Sequence, residues 1–364
     1  MKGFETLLRR LKALVPLVLL LAASGCANDS GGGAGGGSGV RSAHMEAIRS
    51  RGQLSCGVDG QVAGFSSVGA DGRYQGFDVD ICRAVAAALL GSGEKVEFRN
   101  LTATQRFPAV ASGEVDLLSR NTTVTLGRDA PGGNAMSFAP VVFHDGVGVM
   151  VPVASGITNL AGLQGRPICL LSGATSEQAL TDAMRRDNHS YVPLKFSTID
   201  EMFGAYQQGR CAAASIDRSA LAAQRTTFAD PAAHRILPDV LSKEPLAPAT
   251  AQADPAWADA VRWVVYALIE AEDQGITQAN VKAKLAEARS NPKLADRRRF
   301  LGVEGNLGSQ LGLPDDFVVK VITAVGNYGE IYMRNVGEGS PLKISPGPNR
   351  LWKDGGLLVS PPFR

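Results

Sequence analysis

Residues 106–121 read RFPAVASGEVDLLSRN, and residues 202–217 repeat their pattern as MFGAYQQGRCAAASID. In both segments a short amphipathic helix ends at a glycine, Gly113 or Gly209, and glycine is a common helix C-cap. An apolar strand follows each glycine and ends in a polar residue. Because the two segments share this order of elements at a constant offset, we predict two similar α/β lobes.

Further strands and helices alternate around each copy of this unit. The first lobe is predicted to open with the strand QLSCGV at 53–58, the helix GFDVDICRAVAAALL at 76–90 and the strand KVEFRNL at 95–101. Asp78 or Asp80 is the predicted N-cap of that helix. The second lobe repeats this order in PICLLSG, TSEQALTDAMRRD and YVPLKF. Strands that alternate with helices predict parallel sheets covered on both faces.

The chain is predicted to cross between the lobes twice. Extended segments at Val149–Val153 and Ala247–Ala251 flank the second lobe, and both are hinge candidates. From Pro255 onward the pattern becomes helical, and WADAVRWVVYALIEAED is predicted to pack mainly in the core. The predicted division is a signal peptide at 1–25, a flexible Gly-rich tether at 26–44, the first part of lobe 1 at 45–150, lobe 2 at 151–248, and a return to lobe 1 with a C-terminal helical extension at 249–364.

The N-terminus carries an export signal. The basic segment MKGFETLLRRLK precedes the apolar run ALVPLVLLLAA and the small residues ASGC, which end at Cys26. The apolar run is too short for a mature transmembrane helix, so it predicts a cleaved signal peptide. Small residues before cysteine resemble the lipobox of bacterial lipoproteins, which implies a lipid anchor at Cys26. An ordinary secretory signal cut nearby is the alternative, and both interpretations export the chain. The glycine-rich stretch that follows has little to bury and predicts a flexible coil.

Composition and motifs exclude several classes of function. The chain has 364 residues, 45% of them hydrophobic, which is enough for two cores, and its formal charge of +2 argues against a nucleic-acid surface. The sequence contains no HExxH, no CxxC, no GxSxG elbow and no GKS or GKT after the glycine run, so we expect no metal site, cofactor or catalysis of these kinds. The four histidines are scattered and are interpreted as surface or core residues rather than metal ligands.

Four cysteines remain beyond the candidate lipidation site. Export to an oxidising compartment favours their pairing. Cys56 lies on a predicted strand and Cys82 on the apolar face of the next helix, so both should point into one core. Cys169 and Cys211 lie in strand-like segments of the second lobe. We predict the bridges Cys56–Cys82 and Cys169–Cys211, with buried free thiols as the alternative.

Polar residues follow the carboxyl ends of several predicted strands. In open parallel sheets, ligands bind outside those ends, where loops and helix N-termini gather. A guanidinium and helix N-terminal amides suit a carboxylate, and a carboxylate suits an ammonium, so this set of groups fits a free amino acid. The candidate residues are Asp59, Asn121, Thr123, Arg128, Gly173, Thr175 and Asp217.

Each of these residues also has a simpler interpretation. Arg128 could be solvated in a polar loop, and Asp217 could cap the helix that follows it. Thr175 has capping-box spacing to Gln178 and could cap its own helix. The joint arrangement, with a cation in the first lobe and an anion in the second, favours a binding site over these separate structural roles.

Motifs spread over the chain resemble one protein family. GFDVDICRAVAAAL, RFPAVASGEVDLLSRNTT, SKEPLAPA, VGNYGEIYMRNVG and GGLLVSPP resemble the periplasmic solute-binding component of general L-amino-acid ABC transporters, in bacterial solute-binding protein family 3, from about Arg49 to Arg364. The resemblance implies a two-lobed periplasmic binding protein fold of type II that closes on a free L-amino acid like a Venus flytrap. It implies a periplasmic monomer that binds a broad range of polar amino acids, delivers them to inner-membrane ABC permease subunits, uses no cofactor and is not an enzyme.

The resemblance also assigns roles to the candidate residues. Arg128 would hold the ligand α-carboxylate, with Thr123 and with Thr175 in the turn that contains Gly173. Asp217 would bind the α-ammonium together with the backbone of Asn121. Asp59, Phe65 and the loop Thr102–Arg106 would face the ligand side chain.

Several positions depart from the family pattern. Members commonly read NTTWT and TGTTTE, whereas this chain has Val124 in place of the tryptophan and SGATSE in place of the second motif. Asp59 stands where a small hydroxyl residue is frequent. Losing an aromatic wall and gaining a carboxylate suggests the hypothesis that basic or amide ligands are preferred.

Two other functions would use the same fold. The first is an enzyme similar to cyclohexadienyl dehydratase, for which Asp59 or Glu177 would have to act as the acid over a bound ring. The second is an amino-acid sensor, in which the closed lobes signal to a membrane partner without handing over a ligand.

Overall fold

The computed structural model describes residues 42–364. The predicted signal peptide and Cys26 lie outside this range. Its strands are β1 (Leu54–Val58), β2 (Gln61–Val62), β3 (Ser66–Val68), β4 (Tyr74–Gln75), β5 (Val96–Asn100), β6 (Leu117–Leu118), β7 (Met136–Phe138), β8 (Phe143–Asp145), β9 (Val147–Pro152), β10 (Pro167–Leu171), β11 (Val192–Phe196), β12 (Ala213–Asp217), β13 (His234–Ile236), β14 (Glu244–Leu246) and β15 (Ala249–Ala251).

Helices alternate with strands up to β15 and then follow one another to the C-terminus. They are α1 (Ala43–Arg51), α2 (Phe77–Leu90), α3 (Arg106–Ala111), α4 (Leu126–Asp129), α5 (Thr175–Arg186), α6 (Ile199–Gln207), α7 (Arg218–Arg225), α8 (Pro255–Asp273), α9 (Val281–Ser290), α10 (Ala295–Phe300), α11 (Leu307–Gln310), α12 (Phe317–Val325) and α13 (Tyr328–Asn335). Between residues 42 and 364, no helix combines the length and the apolar composition that a bilayer span requires.

Each lobe is built on one five-stranded sheet. The first sheet has the order β5-β1-β6-β15-β7, and the second has the order β11-β10-β12-β9-β13. In the first, β1 pairs in parallel with β5 and β6, and in the second β10 pairs in parallel with β11 and β12. Next to these three strands, β15 of the first sheet and β9 of the second pair antiparallel with both of their neighbours. The outermost strands β7 and β13 therefore run in the same direction as the three parallel strands. The prediction of parallel sheets is thus confirmed for four of the five strands in each sheet.

Two short strands join the lobes. β8 pairs antiparallel with β14, which places Phe143 opposite Leu246 and Asp145 opposite Glu244. The predicted crossover at Val149–Val153 is wrong, because β9 contains most of these residues and lies inside the second sheet between β12 and β13. The predicted lobe boundary at residue 150 accordingly falls within a strand. An apolar run fits a buried strand as well as a crossover, and the sequence pattern cannot separate the two.

Helix α2 begins without the side-chain cap that the sequence predicts. Its N-cap is Gly76, at φ 131°, and neither Asp78 nor Asp80 caps it. A Cβ on Gly76 would lie 2.3 Å from the carbonyl oxygen of Phe65, so this turn requires glycine. Both aspartates lie inside the helix and have distant partners instead. Asp78 bonds the loop after β6, and Asp80 accepts a hydrogen bond from Arg334 of α13 at 2.8 Å.

Both predicted disulfide bridges are present. Cys56–Cys82 joins β1 to α2, and Cys169–Cys211 joins β10 to the residue that leads into β12. All four cysteines are buried in the cores of their lobes. The first bridge therefore ties a central strand to a helix, and the second ties a central strand to the segment before the strand beside it.

The C-terminal extension packs on the first lobe. Helix α12 lies on α2, and α13 contacts α2 and α8. From α13, the ring of Tyr328 packs edge-on against Phe77, and the ring of Tyr332 stacks on Phe143. Phe143 is the first residue of β8, so the extension reaches the connection between the lobes as well as the back of the first sheet.

Candidate ligand-binding cleft

Arg128 lies in α4, on the polar loop that follows β6. The hydroxyl of Thr125 accepts a hydrogen bond from the Arg128 backbone N–H and caps this short helix. The side chain is 8% exposed, and its Nη1 donates to the carbonyl oxygen of Thr123 at 2.8 Å. Burial lowers the pKa of Arg128, while Glu244 and Asp217 raise it. A guanidinium held in this way keeps donors free for an anion.

Arg106 is a second buried cation in the first lobe, at the start of α3. It is 3% exposed, and its Nη2 donates across the cleft to the carbonyl oxygen of Gly173 at 3.4 Å. Its Nε is buried and has no hydrogen-bond partner. Burial and the neighbouring guanidiniums of Arg128 and Arg120 lower the pKa of Arg106. From the sequence, Arg106 was predicted only as part of a loop that faces the ligand side chain. The structure shows that it is a buried cation that reaches across the cleft.

Phe107 supports both of these cations. The guanidinium carbon of Arg106 lies 4.8 Å from the centre of its ring, and that of Arg128 lies 5.2 Å from the same centre. Such cation–π contacts stabilise a buried guanidinium without neutralising it. Across residues 42–364, neither Arg106 nor Arg128 forms a salt bridge. Two guanidiniums without a salt-bridge partner among the described residues therefore face the cleft from one lobe.

Asp217 contributes a carboxylate from the second lobe. It ends β12 and occupies the N-cap position of α7, but its side chain makes no capping hydrogen bond. The residue is 8% exposed. Burial, followed by repulsion from Asp145 and Glu244, raises the pKa of Asp217 well above its usual range, and Arg106 and Arg128 oppose this effect. The simple capping role is therefore excluded, and a bound cation would stabilise the ionised carboxylate.

Glu244 links the hydroxyl groups of the two lobes. Its Oε2 accepts hydrogen bonds from Thr123 Oγ1 of the first lobe at 2.6 Å and from Thr175 Oγ1 of the second at 2.8 Å. Thr175 is the first residue of α5 and does not cap it, because Ala174 occupies the N-cap position and no capping box with Gln178 forms. Glu244 lies in β14, one of the two connecting strands. From the sequence, Glu244 was part of a family motif but had no predicted role, because only the fold brings it to the cleft.

Asn121 lies where β6 meets the cleft. Its φ is 40°, and its backbone N–H donates to Asp78 Oδ2 at 3.1 Å. Asp78 also accepts from the hydroxyl of Ser119 at 3.2 Å. Burial raises the pKa of Asp78 to about 7, against the effect of these two hydrogen bonds. Both polar atoms of the Asn121 side chain are buried without a partner, and so is the hydroxyl of Ser176 from the second lobe.

Two residues predicted to face the ligand side chain have other partners in the structure. Asp59 forms a buried salt bridge with Arg120 of its own lobe, so its carboxylate is already neutralised. Phe65 is 1% exposed and lies in an aromatic cluster with Phe77 and Phe143, where it fills the core rather than the cleft. The local sequence contains no signal for either arrangement, since both partners come from distant segments.

The lobes touch each other around these groups. A Cβ on Gly173 would lie 2.9 Å from the methyl carbon of Thr104 in the opposite lobe. Gln61 Nε2 donates to Asp200 Oδ2 across the cleft at 2.8 Å. Beside this contact is a cavity of about 150 Å³. It is lined from the first lobe by Asp59, Gln61, Asn100, Leu101, Thr102 and Arg120, and from the second by Ser197, Thr198 and Ile199.

The charged groups of the cleft therefore suit a small molecule that carries opposite charges. Arg106 and Arg128 provide donors for carboxylates, and Asp217 provides an acceptor for a cation from the other side. Unpartnered buried atoms of Arg106, Asn121 and Ser176 mark where such a molecule would complete the hydrogen bonding.

Comparison with known proteins gives a consistent result. The model of the bacterial extracellular solute-binding proteins, family 3, matches residues 54–296. The chain is 44% identical over 322 residues to the general L-amino acid-binding periplasmic protein AapJ of Rhizobium johnstonii, covering 88% of this chain and 92% of that protein. It is 42% identical over 320 residues to the glutamate/glutamine/aspartate/asparagine-binding protein BztA of Rhodobacter capsulatus, covering 88% and 93%.

Solved structures agree in fold. A periplasmic binding protein of an ABC transporter from Brucella ovis, solved with glutathione bound, superposes with a TM-score of 0.84 at 43% identity. That match covers 89% of this chain and all of the Brucella chain. A solute receptor for L-cysteine from Neisseria gonorrhoeae gives a TM-score of 0.57 at 29% identity, covering 64% of this chain and 89% of the receptor.

Proposed function

The chain belongs to the bacterial extracellular solute-binding proteins, family 3, and from that premise we propose that it captures free L-amino acids in the periplasm and delivers them to an ABC permease. The observation that supports this most directly is the division of charge across the cleft. Arg106 and Arg128 come from the first lobe and Asp217 from the second. A ligand that contacts only one lobe cannot shift the balance between open and closed forms, whereas one that binds both lobes can.

A free amino acid satisfies the groups in the cleft as follows. Its α-carboxylate binds the guanidinium of Arg128, next to the hydroxyls of Thr123 and Thr175. Its α-ammonium binds Asp217 and the backbone at Asn121. The ammonium would lower the pKa of Asp217 that burial has raised. Gly173 has a positive φ of 79° in the turn before α5, where a side chain would collide with the first lobe.

The charges around the ligand side chain favour acidic and amide ligands. The carboxylate of Asp59, which suggested basic ligands at the level of sequence, is paired with Arg120. Arg106 has no carboxylate partner among the described residues. A side-chain carboxylate would pair with it, and a side-chain amide would accept its hydrogen bonds. A relative at 42% identity is named as a binder of glutamate, glutamine, aspartate and asparagine.

A short γ-glutamyl peptide is a second candidate ligand. The cavity of about 150 Å³ beside Asp59 and Arg120 is lined by both lobes and could receive the rest of a ligand longer than an amino acid. The Brucella protein of similar sequence was solved with glutathione bound. In this proposal the γ-glutamyl amino and carboxyl groups take the places of the free amino acid, and the rest of the peptide extends into the cavity.

No observation favours the enzymatic alternative. Asp59 is paired with Arg120, and Glu177 is paired with Lys195, so both of the acids considered for elimination chemistry are already engaged in ion pairs. Two similar proteins are named for amino-acid binding, and another is named as a putative amino-acid ABC transporter-binding protein. A sensory role would use the same cleft and differs only in the membrane partner.

Attachment to the membrane rests on the N-terminal sequence. The proposal is that a signal peptide is removed before Cys26 and that a lipid on this cysteine anchors the chain through its Gly-rich tether. The mass of the mature protein from membranes tests this directly. A diacylglyceryl-sized increase that disappears in Cys26→Ala supports the anchor, whereas a mature N-terminus downstream of Cys26 contradicts it.

Calorimetric titration with a panel of ligands tests the proposed function. The panel contains the twenty common L-amino acids, D-glutamate and glutathione. Acidic and amide L-amino acids should bind best, and deletion of the gene should reduce their uptake by cells. If no L-amino acid binds, the proposed function is wrong. If the ligands bind but uptake is unchanged on deletion, the sensor replaces the transporter.

A further inference from the structure

The connecting strand β8 is bonded on both of its edges. One edge pairs with β14, where Pro245 stands opposite His144 and has no N–H to donate. On the other edge, the side-chain amide of Asn349 bonds both backbone groups of His144. The His144 N–H donates to Asn349 Oδ1 at 2.6 Å, and Asn349 Nδ2 donates to the His144 carbonyl oxygen at 3.2 Å. Asn349 is 5% exposed, so its amide acts as a buried substitute for a third strand.

The residues before His144 are held by the same part of the chain. The hydroxyl of Tyr328 donates to the carbonyl oxygen of Val142 at 2.8 Å. The ring of Tyr332 stacks on Phe143, with centroids 5.9 Å apart and planes 12° from parallel. Three consecutive residues are thus fixed by the C-terminal extension. The three residues that make these contacts, Tyr328, Tyr332 and Asn349, lie beyond residue 296, where the match to the family model ends.

The next residue along β8 contacts the second lobe instead. Asp145, the last residue of β8, accepts hydrogen bonds from the backbone N–H groups of Gly146 and Ser219, and Ser219 lies in α7 of the second lobe. Because the extension packs on α2 and α8 of the first lobe, it joins β8 to that lobe. Lobe closure usually occurs through φ and ψ changes at a few such connecting residues. In this one of the two connections, bending is therefore expected in the short stretch between His144 and β9.

We propose that the C-terminal extension is a brace on the hinge, and that Asn349 is the residue through which it sets the balance between open and closed lobes. The inference rests on the proposed function, since it concerns closure on a ligand. A hinge strand bonded on both edges has fewer conformations in the open state than a strand bonded on one edge. In the closed form the contacts between the lobes also hold the hinge, so removing the brace adds conformations mainly to the open form and lowers the population of the binding-competent closed form.

Loss of the brace should weaken the binding of every ligand by the same factor. When the competent fraction falls, the apparent dissociation constant of every ligand rises by the same ratio, whatever its side chain. Asn349→Leu should raise the dissociation constants for glutamate and glutamine by about threefold to tenfold each, with their ratio unchanged. Asn349→Asp keeps an acceptor for the His144 N–H and loses the donor, so its effect should be smaller.

The test compares these variants with a matched asparagine in the same extension. Asn335 is in α13, and its side chain bonds Asp80 and the carbonyl oxygen of Ile331 without touching β8. Calorimetry gives the dissociation constants, and small-angle X-ray scattering of ligand-free protein gives the radius of gyration. Asn349→Leu should increase that radius and weaken both ligands equally, whereas Asn335→Leu should change stability to urea but neither of these quantities.

Three results would overturn the brace. The first is unchanged affinity and radius in Asn349→Leu, and the second is a change in the ratio of the two affinities. The third is an equal effect in Asn335→Leu, which would indicate general destabilisation. If wild-type protein binds no amino acid, the proposed function fails. The radius of gyration of the ligand-free variants then still tests whether Asn349 braces the hinge. If Asn349→Leu does not fold, the graded change in Asn349→Asp provides the same comparison.

Discussion

Arg106 and Arg128 share one aromatic support, since their guanidinium carbons lie 4.8 Å and 5.2 Å from the centre of the Phe107 ring. The ring stabilises both cations, and neither is neutralised by a carboxylate within residues 42–364. Repulsion between the two contributes to the lowered pKa of Arg106. Anionic groups of a ligand would relieve this repulsion. The pair of arginines therefore predicts a preference for ligands with two carboxylates.

The two arginines should separate general affinity from side-chain selectivity. Arg128→Gln should weaken glutamate and glutamine alike, by on the order of 2 to 5 kcal/mol, because it removes the partner of the α-carboxylate in a desolvated cleft. Arg106→Gln should weaken glutamate at least about tenfold, or 1.4 kcal/mol, and glutamine by much less. Calorimetric titration of both ligands measures this. Equal losses for the two ligands in Arg106→Gln would contradict the assignment.

Asp217 should be the receptor for the ligand ammonium. The matched ligand is 2-oxoglutarate, which resembles glutamate but has no ammonium group. Wild-type protein should prefer glutamate strongly, and Asp217→Asn should lose most of that preference, because the buried carboxylate no longer selects a cation. The ratio of the two dissociation constants is the measurement. A variant that retains the wild-type ratio would show that another group binds the ammonium.

Stability should depend on pH through Asp78. Its carboxyl titrates near 3.8 when unfolded and at about 7 in the fold, because burial disfavours the charged form. Between these values the folded chain binds more protons than the unfolded chain, so the free energy of unfolding falls as pH rises from about 4 to about 7 and the contribution is level above that.

Urea unfolding of wild type and Asp78→Asn isolates this contribution. The difference in their free energies of unfolding should change by on the order of 1 kcal/mol per pH unit over that interval, with the variant gaining relative to wild type as pH rises. A difference that stays constant from pH 4 to 7 would mean that Asp78 is ionised throughout.

The disulfide bridges should account for a substantial part of the stability of each lobe. Cys169 and Cys211 are 42 residues apart, and closing a loop of that length in the unfolded chain is worth about 4 kcal/mol in the chain-entropy model. Replacing both by serine should lower the free energy of unfolding by up to that amount. Unreduced protein spanning residues 42–364 should show no free thiols. Four reactive thiols after denaturation would contradict both bridges.

The sequence predicts those features of the fold that arise from local patterns. The helix and strand of each repeated unit are encoded in contiguous residues, and so is the glycine that ends each helix, at Gly113 and Gly209. The cysteine pairs could be assigned because the two members of each pair were predicted to lie in the core of the same lobe. The hinge could not be located, because the apolar pattern of β9 is the same for a buried strand and for a crossover.

The site was predictable only where a residue's position follows from the end of a strand. Arg128 and Asp217 were proposed in this way. The role of Glu244 depends on Thr123 and Thr175, which are 121 and 69 residues away in the chain. The neutralisation of Asp59 depends equally on a partner 61 residues away, so a single sequence could suggest a free carboxylate but not its pairing.

The most direct measurement of the central claim is a crystal structure with L-glutamate bound. The account predicts that the α-carboxylate lies about 2.7 to 2.9 Å from the guanidinium of Arg128, and that the ammonium lies at a similar distance from the carboxylate of Asp217, so that one ligand bridges both lobes. The side-chain carboxylate should face Arg106. A ligand bound to one lobe alone, or with Asp217 turned away from its ammonium, would contradict the account.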